Sequence, residues 1–593
     1  MTDPRAAYDA RLAIRRQRVA AVGRTHLRLA NLRLIVAAAI VLLLWLAYGP
    51  AAASPLWPIA AAVAFAALVV VHARVLERGE RARRAARLYE RGLDRLNGRW
   101  AGTGRPGLSF LDGHGYARDL DLFGRGSLFE LMNVAQTEAG ETTLADWLRA
   151  GASAAEAHAR HAAVDELRSN LDFREDVGVL AAEQQVSRTG ALATWAFSPP
   201  IGFGVLRWLC GACAAVTLAL SIAAYQNAFS WAVVVAWLAV EGLITWPWRR
   251  PLGIVTARIG RPADDLALLA AVLARVEREP ATSARLKALQ SALTSGGVPA
   301  SRAIGRLTSL VSWHESSVHN LLFIPITRAL LIPEQLTLAI DRWHANHGHE
   351  VREWLRVVGE LEALSAIATY AYEHPSDPFP ELVDGPALFD ADGLVHPLLA
   401  DDVAVANDVR LGRQHPHVIV LSGSNMSGKS TLLRAIGINV VLALAGAPVH
   451  ARRLALTPLA IGATLRIDDS LQEGHSRFYA EILRIRAIVD AARAETPLLF
   501  LLDEILHGTN SHDRRIGAEA IVRALVDAGA IGLITTHDLA LTELTRDLAG
   551  RAANMHFEDR LEQGRMAFDY RLRPGVVEHS NALALMRAVG LDV

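Results

Sequence analysis

The stretch "VIVLSGSNMSGKSTLLRAIG", residues 418–437, decides the fold of the C-terminal part of the chain. It begins as an apolar strand, passes through a turn that fits G-x-x-x-x-G-K-[ST], and resumes as a helix. Such a turn lets backbone N–H groups close around phosphate oxygens at a helix N-terminus, where the dipole favours negative charge. We therefore expect a nucleotide phosphate at the residues that follow the strand: Gly423, Ser424, Asn425, Met426, Ser427, Gly428, Lys429, Ser430 and Thr431.

A second apolar run, "PLLFLL" at 497–502, ends in the carboxylates Asp503 and Glu504. In a phosphate-loop site, Lys429 reaches the β- and γ-phosphates, and Ser430 and Asp503 belong to the Mg²⁺ shell. Glu504 stands where a general base would polarise the attacking water. These residues predict an ATPase with ATP and Mg²⁺ as cofactors.

A third apolar strand, "AIGLITTHDL" at 530–539, ends in a polar tip that includes His537. An imidazole at that place could sense the γ-phosphate, although a lone His at a strand end is more often structural. Strands and helices alternate from about 415 to 570, which predicts an α/β P-loop NTPase domain with its ligand outside the carboxyl ends of the strands.

The composition gives little further direction. Sixty-one basic residues balance 61 acidic ones, so the whole chain offers no electrostatic argument for nucleic acid, and a local basic face stays open. The two cysteines, Cys210 and Cys213, lie in the apolar stretch "RWLCGACAAV" without a second pair. We expect neither a disulfide nor a metal site there.

Four nearly uncharged runs stand upstream, at residues 32–49, 56–72, about 204–224 and about 229–248. Each approaches the roughly 20 residues that span a bilayer. Buried core helices are the alternative, but these runs are apolar all round rather than on one stripe, which favours two transmembrane hairpins. A shorter run at 320–333 contains two prolines and Arg328, and we expect it to be buried or interfacial.

Arginine placement predicts the topology of these hairpins. Arginines are dense before the first run and after the second, Arg249 and Arg250 close the second pair, and the turns "PAAASP" and "YQNAFS" are uncharged. By the positive-inside rule the protein is a multi-pass component of a bacterial-type inner membrane, with its N-terminus and ATPase domain in the cytoplasm. The basic flanks could instead form a nucleic-acid or lipid surface.

Residues 81–200 and 251–375 have apolar residues at helical spacing, and the Pro- and Asp-rich 374–386 is typical of a linker. The sequence therefore predicts five segments. They are an N-terminal basic segment with a hairpin (1–80), a helical core (81–200), a second hairpin (201–250), a second helical core or lever part (251–385) and the ATPase domain (386–593).

Several motifs, in order, resemble the MutS family of mismatch-repair ATPases, specifically its membrane-anchored relatives. "SGSNMSGKST", "LLDEILHGTNSHD" and "TTHD" are similar to its nucleotide motifs, and "DLDLFGRGSLFELMN" at 119–133 to its helical core. "LRIDDSLQEGHSRFYAEI" at 465–482 resembles the segment whose serine, Ser476 here, reaches the partner's nucleotide across a dimer. The C-terminal stretch around "FDYRL" resembles the tail in which a ring, Tyr570 here, packs on adenine.

The resemblance implies a homodimeric ATPase that acts on mismatched or branched double-stranded DNA. The chain departs from the family at its N-terminus, where a basic apolar hairpin replaces the mismatch-reading domain. An alternative is an ATP-gated dimeric switch that acts on a membrane protein partner without recognising mismatches. A transporter is disfavoured because the helical subdomain and signature peptide of ABC transporters are missing between the two carboxyl-bearing motifs.

Overall fold

The computed structural model describes the chain except residues 1–2, 51–53, 55, 183–188, 260–262, 295–296, 322, 401, 425–426, 467–476, 507–508, 538, 549, 563–564 and 578–593. A helical N-terminal region leads into a C-terminal α/β domain. This division agrees with the predicted order of an all-α part followed by an α/β part.

The first apolar pair forms two long helices, α1 (Pro4–Tyr48) and α2 (Leu56–Leu96), which pack along each other. Their approach is close because α2 carries glycines at the contact: a Cβ on Gly92 would lie 2.5 Å from the Tyr8 ring. The Tyr8 hydroxyl donates to Glu373 Oε1 at 3.1 Å, fastening the hairpin to the helical core. The boundary expected at residue 80, between the first hairpin and the helical core, lies inside α2. This helix continues past its apolar run into an Arg-rich stretch that ends at Leu96.

Five α-helices follow the first hairpin in the described part of this region, and four of them begin at a Ser, Thr or Asn whose side chain accepts a backbone N–H of the first turn. They are α3 (Leu128–Met132), α4 (Glu138–Arg149), α5 (Ala154–Arg168), α6 (Leu171–Ala181) and α7 (Thr189–Phe197). The second apolar pair then forms α8 (Leu206–Tyr225) and α9 (Trp231–Thr245).

Six further helices complete the helical region: α10 (Arg249–Ile259), α11 (Ala263–Arg278), α12 (Ala284–Ala292), α13 (Ala300–His319), α14 (Ile324–Ala329) and α15 (Ile332–Glu373). The 42-residue α15 is the central helix, since it packs against α4, α5, α7, α8 and α13. Its second half is buried on nearly every side, which explains why alanine and other small residues dominate its "ALSAIATYAYE" end.

Four helices of the described chain are long and apolar enough to cross a membrane, by length and composition: Pro4–Tyr48, Leu56–Leu96, Leu206–Tyr225 and Trp231–Arg258. Their apolar windows are mostly exposed in the fold, between 0% and 22% buried. Core helices bury their apolar residues, so this exposure agrees better with lipid-facing helices than with the core alternative.

The C-terminal domain contains two sheets. Its strands are β1 (Glu381–Leu382), β2 (Leu388–Leu394), β3 (Asn407–Gly412), β4 (Val418–Ser422), β5 (Arg453–Leu456), β6 (Ala460–Thr464), β7 (Leu498–Leu502), β8 (Ile531–Thr536), β9 (Ala552–Glu562) and β10 (Arg565–Pro574). Its helices are α16 (Lys429–Ala445), α17 (Arg477–Ala491), α18 (Ser511–Asp527) and α19 (Leu544–Asp547).

The larger sheet has the order β10-β9-β4-β8-β7-β6, parallel except for the β9–β10 hairpin. Strands β4, β7 and β8 are buried along their full length, as their continuous apolar runs predict. The smaller sheet has the order β1-β5-β2-β3. Because β1 pairs with β5, this domain begins before the expected boundary at 386, inside the predicted linker.

Candidate nucleotide site

The turn between β4 and α16 forms a cradle at a helix N-terminus. Gly423 and Gly428 have φ of 155° and 100°; the latter is a left-handed conformation that only glycine adopts without strain. The Lys429 ammonium lies inside the turn and donates to the carbonyls of Gly423 (2.6 Å) and Ser424 (3.0 Å). Burial lowers the pKa of Lys429, while Glu504 and Asp503 oppose that shift.

Asp503 closes the site from the end of β7. Ser430 Oγ donates to Asp503 Oδ2 at 2.5 Å, so the first turn of α16 and the end of β7 meet directly. Thr535, on β8, which lies between β4 and β7 in the sheet, donates to the other carboxylate oxygen. The serine and carboxylate expected to share a Mg²⁺ ion are therefore adjacent, and a threonine fixes the carboxylate's orientation.

Glu504 lies beside the cradle in a constrained backbone conformation. Its φ is +45°, and its N–H donates to Thr535 Oγ1 at 3.0 Å, a contact that holds the residue in this unfavourable region. Its carboxylate is 3.9 Å from the Lys429 ammonium and 3.5 Å from His537 Nδ1. The predicted base and the predicted sensor are thus neighbours, although 33 residues separate them in sequence.

Tyr570 forms the opposite wall. Its ring lies against Gly428, where an added Cβ would come within 3.1 Å of the ring, and its own φ is +54°. Asn407 fixes the backbone here: its amide donates to the Tyr570 carbonyl (3.0 Å) and its oxygen accepts the Leu572 N–H (2.7 Å). Between this wall and the cradle lies a cleft of about 610 Å³, which Thr431 also lines.

Three expected site residues lie outside the described part of the chain: Asn425, Met426 and Ser476. The structure therefore tests neither the Asn-Met pair of the loop nor the serine expected to act across a dimer. The described residues on either side, Arg466 and Arg477, place the two ends of the segment that carries Ser476 at the carboxyl edge of the larger sheet.

The site also contains residues that the sequence did not single out. Thr535 stands two positions before His537, and its contact with Asp503 depends on strand order, which the sequence does not show. Glu481 is buried and accepts the Leu506 N–H at 2.6 Å, supporting the loop after Glu504. His396 lines the cleft, and its pKa is lowered to about 4, mainly by burial.

The residues present fit a nucleotide phosphate with a divalent cation. Ser427 Oγ is buried and has no hydrogen-bond partner among the described residues, so a polar group in the cradle would satisfy it. The hydrogen bonds that Lys429 makes to described residues go to carbonyls that a phosphate oxygen could replace. Ser430 with Asp503 forms an all-oxygen donor set of the kind that Mg²⁺ prefers.

Comparison with known proteins agrees with this geometry. Residues 419–592 match the family model for MutS domain V. The chain is 33% identical over 246 residues to the DNA mismatch repair protein MutS of Natronomonas pharaonis, covering 41% of this chain and 28% of that protein. It is 32% identical over 197 residues to the Endonuclease MutS2 of Thermus thermophilus, covering 33% and 25%.

A third relative is the DNA mismatch repair protein MutS 2 of Haloarcula marismortui, 34% identical over 194 residues, which cover 32% of this chain and 20% of that protein. The chain thus spans about a quarter of the length of these relatives, and the matched family model is confined to the C-terminal domain that contains the site. The C-terminal domain of the chain, over residues 419–592, is thus identified as a MutS domain V.

Proposed function

We propose that this protein is a membrane-anchored, Mg²⁺-dependent ATPase that works as a homodimer and couples ATP hydrolysis to binding of mismatched or branched DNA. One observation carries the ATPase: the cradle lysine Lys429, the Ser430–Asp503 pair and the Glu504–His537 pair converge at one edge of a sheet in a MutS domain V. A phosphate-binding lysine, two Mg²⁺ ligands and a residue that positions the attacking water are the groups that a P-loop NTPase uses.

Each residue has a distinct task in this proposal. The backbone of 423–428 and Lys429 bind the phosphates, Ser430 and Asp503 hold the cation, and Tyr570 packs against the base. Glu504 orients the attacking water and accepts its proton, because its carboxylate faces the cradle beside Lys429. His537, 3.5 Å from that carboxylate, keeps it oriented and reads the terminal phosphate. Bound MgATP supplies the reacting phosphoryl group and the charge that neutralises it.

The proposed dimer is supported by the resemblance of residues 465–482 to the MutS segment whose serine reaches the partner subunit's nucleotide. Ser476 would complete the partner's site, so that two nucleotides lie between two ATPase domains. DNA as the ligand is supported by relatives named DNA mismatch repair protein MutS.

The membrane anchor is supported by four helices of spanning length and composition. Their uncharged turns and arginine-rich flanks support a topology with the N-terminus and the ATPase domain on the cytoplasmic side of a bacterial-type inner membrane. Alkaline carbonate washing of membranes tests this part, since a spanning protein stays in the pellet. Release into the supernatant would refute the anchor and leave the ATPase standing.

The same anchor favours a second candidate, an ATP-gated dimeric switch that acts on a membrane protein partner. Retention of the detergent-purified protein on immobilised homoduplex, heteroduplex and branched DNA separates the two candidates. The first predicts retention that depends on nucleotide and is lost in Lys429→Ala. Absence of retention on every DNA, together with cross-links only to membrane proteins, would refute the DNA-coupled ATPase and favour the membrane-partner switch.

A further inference from the structure

The interface between α8 and α9 contains a buried carboxyl group that no described cation neutralises. Glu241, in the second half of α9, is 2% exposed. Its side chain forms no ion pair with a described residue, and its hydrogen-bond partner is Thr217 of α8, whose Oγ1 lies 2.6 Å from Glu241 Oε2. A carboxylate buried among apolar helices without a partner charge is costly, and such a group usually binds a proton instead.

The hydrogen bonds around Thr217 indicate which form of the carboxyl fits. Trp237 Nε1 donates to Thr217 Oγ1 at 2.9 Å, and the same hydroxyl lies 3.0 Å from the Cys213 carbonyl, one turn earlier on α8. A hydroxyl has one hydrogen and two acceptor positions, so an ionised Glu241 and the Cys213 carbonyl compete for that hydrogen. A protonated Glu241 removes the competition, because it donates to Thr217 while Thr217 donates to the carbonyl. All three contacts are then satisfied together.

A second carboxyl group, Glu334 of α15, lies near this interface. It is close enough to interact electrostatically with Glu241 and with Cys210 of α8. Arg328 of α14 lies 3.4 Å from one oxygen of Glu334, whose other oxygen is buried without a hydrogen-bond partner among the described residues. The arginine thus balances the charge of Glu334. An ionised Glu241 would add a like charge to the same interface, which favours its neutral form.

The other titratable and charged groups of the second hairpin supply no counter-charge to Glu241. Cys210 and Cys213 are buried free thiols. The arginines at the ends of the hairpin are exposed: Arg207, Arg249 and Arg250. Each stands at least eight residues from Glu241 or from its partner Thr217 along the chain, about 12 Å or more along a helix axis. A bound proton is therefore what neutralises Glu241 in this packing.

We propose that Glu241 is a proton-binding site whose bound proton, shared with Thr217, stabilises the packing of the second hairpin. The proton forms an O–H bond on Glu241 Oε2 and a hydrogen bond to Thr217 Oγ1. Its release to water leaves a carboxylate near Glu334, and repulsion between the two weakens the packing of α8 against α15, the central helix of the core. The inference goes beyond the proposed ATPase and does not depend on its coupling to DNA.

Infrared absorption of the full-length protein in liposomes tests this site at neutral pH. A protonated carboxyl absorbs in the C=O stretching band of carboxylic acids, which shifts to lower frequency in D₂O, whereas an ionised one absorbs in the carboxylate bands. Glu241→Gln removes the carboxyl and keeps a neutral side chain that can donate to Thr217. Its matched control is Glu353→Gln, because Glu353 of α15 is partly exposed and paired with Arg356. Both variants add one glutamine amide, whose absorption is common to the two difference spectra.

We expect Glu241→Gln to lose absorption in the carboxylic-acid band and Glu353→Gln to lose absorption in the carboxylate bands. Loss of carboxylate absorption in Glu241→Gln overturns the proposal. Thr217→Val tests the hydrogen bond in a protein that keeps Glu241, and it should move the acid band to higher frequency because the acid loses its acceptor. An acid band that stays at the wild-type frequency in Thr217→Val overturns the assigned position of the proton.

Thermal unfolding tests the effect of the proton on packing. Raising the pH above neutral should destabilise the wild type more than Glu241→Gln, because only the wild type loses a proton at this position and gains a charge near Glu334. Contributions from all other groups are the same in the two proteins and cancel in the comparison. Equal losses of stability overturn the stabilising role of the proton.

Discussion

Asp119 of the helical region and Arg484 of α17 form an ion pair across the junction with the α/β domain. Asp119 is completely buried, and its carboxylate also accepts the N–H groups of Leu465 (2.9 Å) and Arg466 (2.6 Å). Arg434 of α16 donates to the Asp119 carbonyl at 3.0 Å. One residue therefore ties the phosphate-loop helix, the end of β6 and α17 to the helical core.

Replacement Asp119→Ala should destabilise the protein, because two buried N–H groups and Arg484 lose their acceptor. Leaving buried hydrogen-bonding groups unsatisfied costs roughly 1–3 kcal/mol each. Thermal unfolding in detergent measures the effect, with Asp490→Ala as the matched control, since Asp490 is exposed and its described ion pairs are with the nearby Arg486 and Arg493. Equal midpoints for both variants would show that the junction contributes nothing to stability.

Replacement Lys429→Ala should weaken nucleotide binding. Among the residues that line the described cleft, only Lys429 has a cationic side chain. Loss of a charge-assisted contact worth about 1.5–3 kcal/mol corresponds to a roughly 10- to 150-fold rise in the Kd for nucleotide. Titration with a fluorescent ATP analogue measures this loss. The control is Lys287→Ala, the other lysine of the chain, which should bind nucleotide as the wild type does. An unchanged Kd for Lys429→Ala would contradict the assigned cradle.

Replacement Glu504→Gln should separate binding from turnover. Its side chain keeps the same shape beside Lys429 and His537, so nucleotide affinity is retained, while loss of the base lowers kcat by about 100-fold or more. Single-turnover hydrolysis and the same binding titration give the two values. A kcat close to that of the wild type would exclude Glu504 as the base.

Ser476 should act on the neighbour's nucleotide, and mixed dimers can show this. A dimer of a Ser476→Ala subunit with a Lys429→Ala subunit keeps one complete site, so it should hydrolyse ATP at roughly half the wild-type rate. Placing both changes on one subunit, paired with a wild-type subunit, leaves no complete site. Activity in the second mixed dimer but not in the first would mean that the serine acts within its own subunit.

Glu362 makes the free energy of unfolding depend on pH. It is buried in α15, accepts the N–H groups of Gln136 (3.1 Å) and Thr137 (3.2 Å), and burial raises its pKa from 4.5 to about 7. Between these two pH values the folded state keeps a proton that the unfolded chain has lost, so this group's contribution to stability falls as pH rises. Above pH 7 the carboxyl is ionised in both states and the cost is constant.

Thermal unfolding of Glu362→Gln from pH 4.5 to pH 8 checks this. The difference in unfolding free energy between the variant and the wild type should grow in favour of the variant up to about pH 7 and then level off. The reference is Glu353→Gln, whose partly exposed carboxyl has its pKa lowered below 4.5 by the hydrogen bond from Arg356 and is therefore ionised throughout this pH range. Parallel profiles for Glu362→Gln and the wild type would exclude a raised pKa.

The site was predictable where chemistry is local in sequence. A strand, a glycine turn and a helix in series fix the cradle around Lys429, and carboxyl ends of parallel strands must share an edge, which brings Asp503 near Ser430. Thr535 was not predictable, because its place between them depends on the order β4-β8-β7. The same holds for the contact between Asn407 and Tyr570, 163 positions apart, and for that between Asp119 and Leu465, 346 positions apart.

The boundaries of the helical segments were harder for a physical reason. Apolar periodicity marks where a helix contacts a core or a membrane, but helix α2 continues beyond its apolar run because its backbone hydrogen bonds do not require apolar side chains. The short apolar run at 320–333 shows the converse. Its apolar residues are visible in sequence, whereas the exposure of Leu321, Phe323 and Ile326 appears only in the fold.

The central claim is an ATPase coupled to DNA, and the most direct test is ATP hydrolysis by the purified protein. Homoduplex, heteroduplex, branched and single-stranded DNA are titrated at two salt concentrations, because phosphate contacts weaken steeply with ionic strength. The account predicts Mg²⁺-dependent hydrolysis, absent in Lys429→Ala, that heteroduplex or branched DNA changes more than homoduplex does. Hydrolysis that is intact but indifferent to every DNA would contradict the coupling and favour the membrane-partner switch.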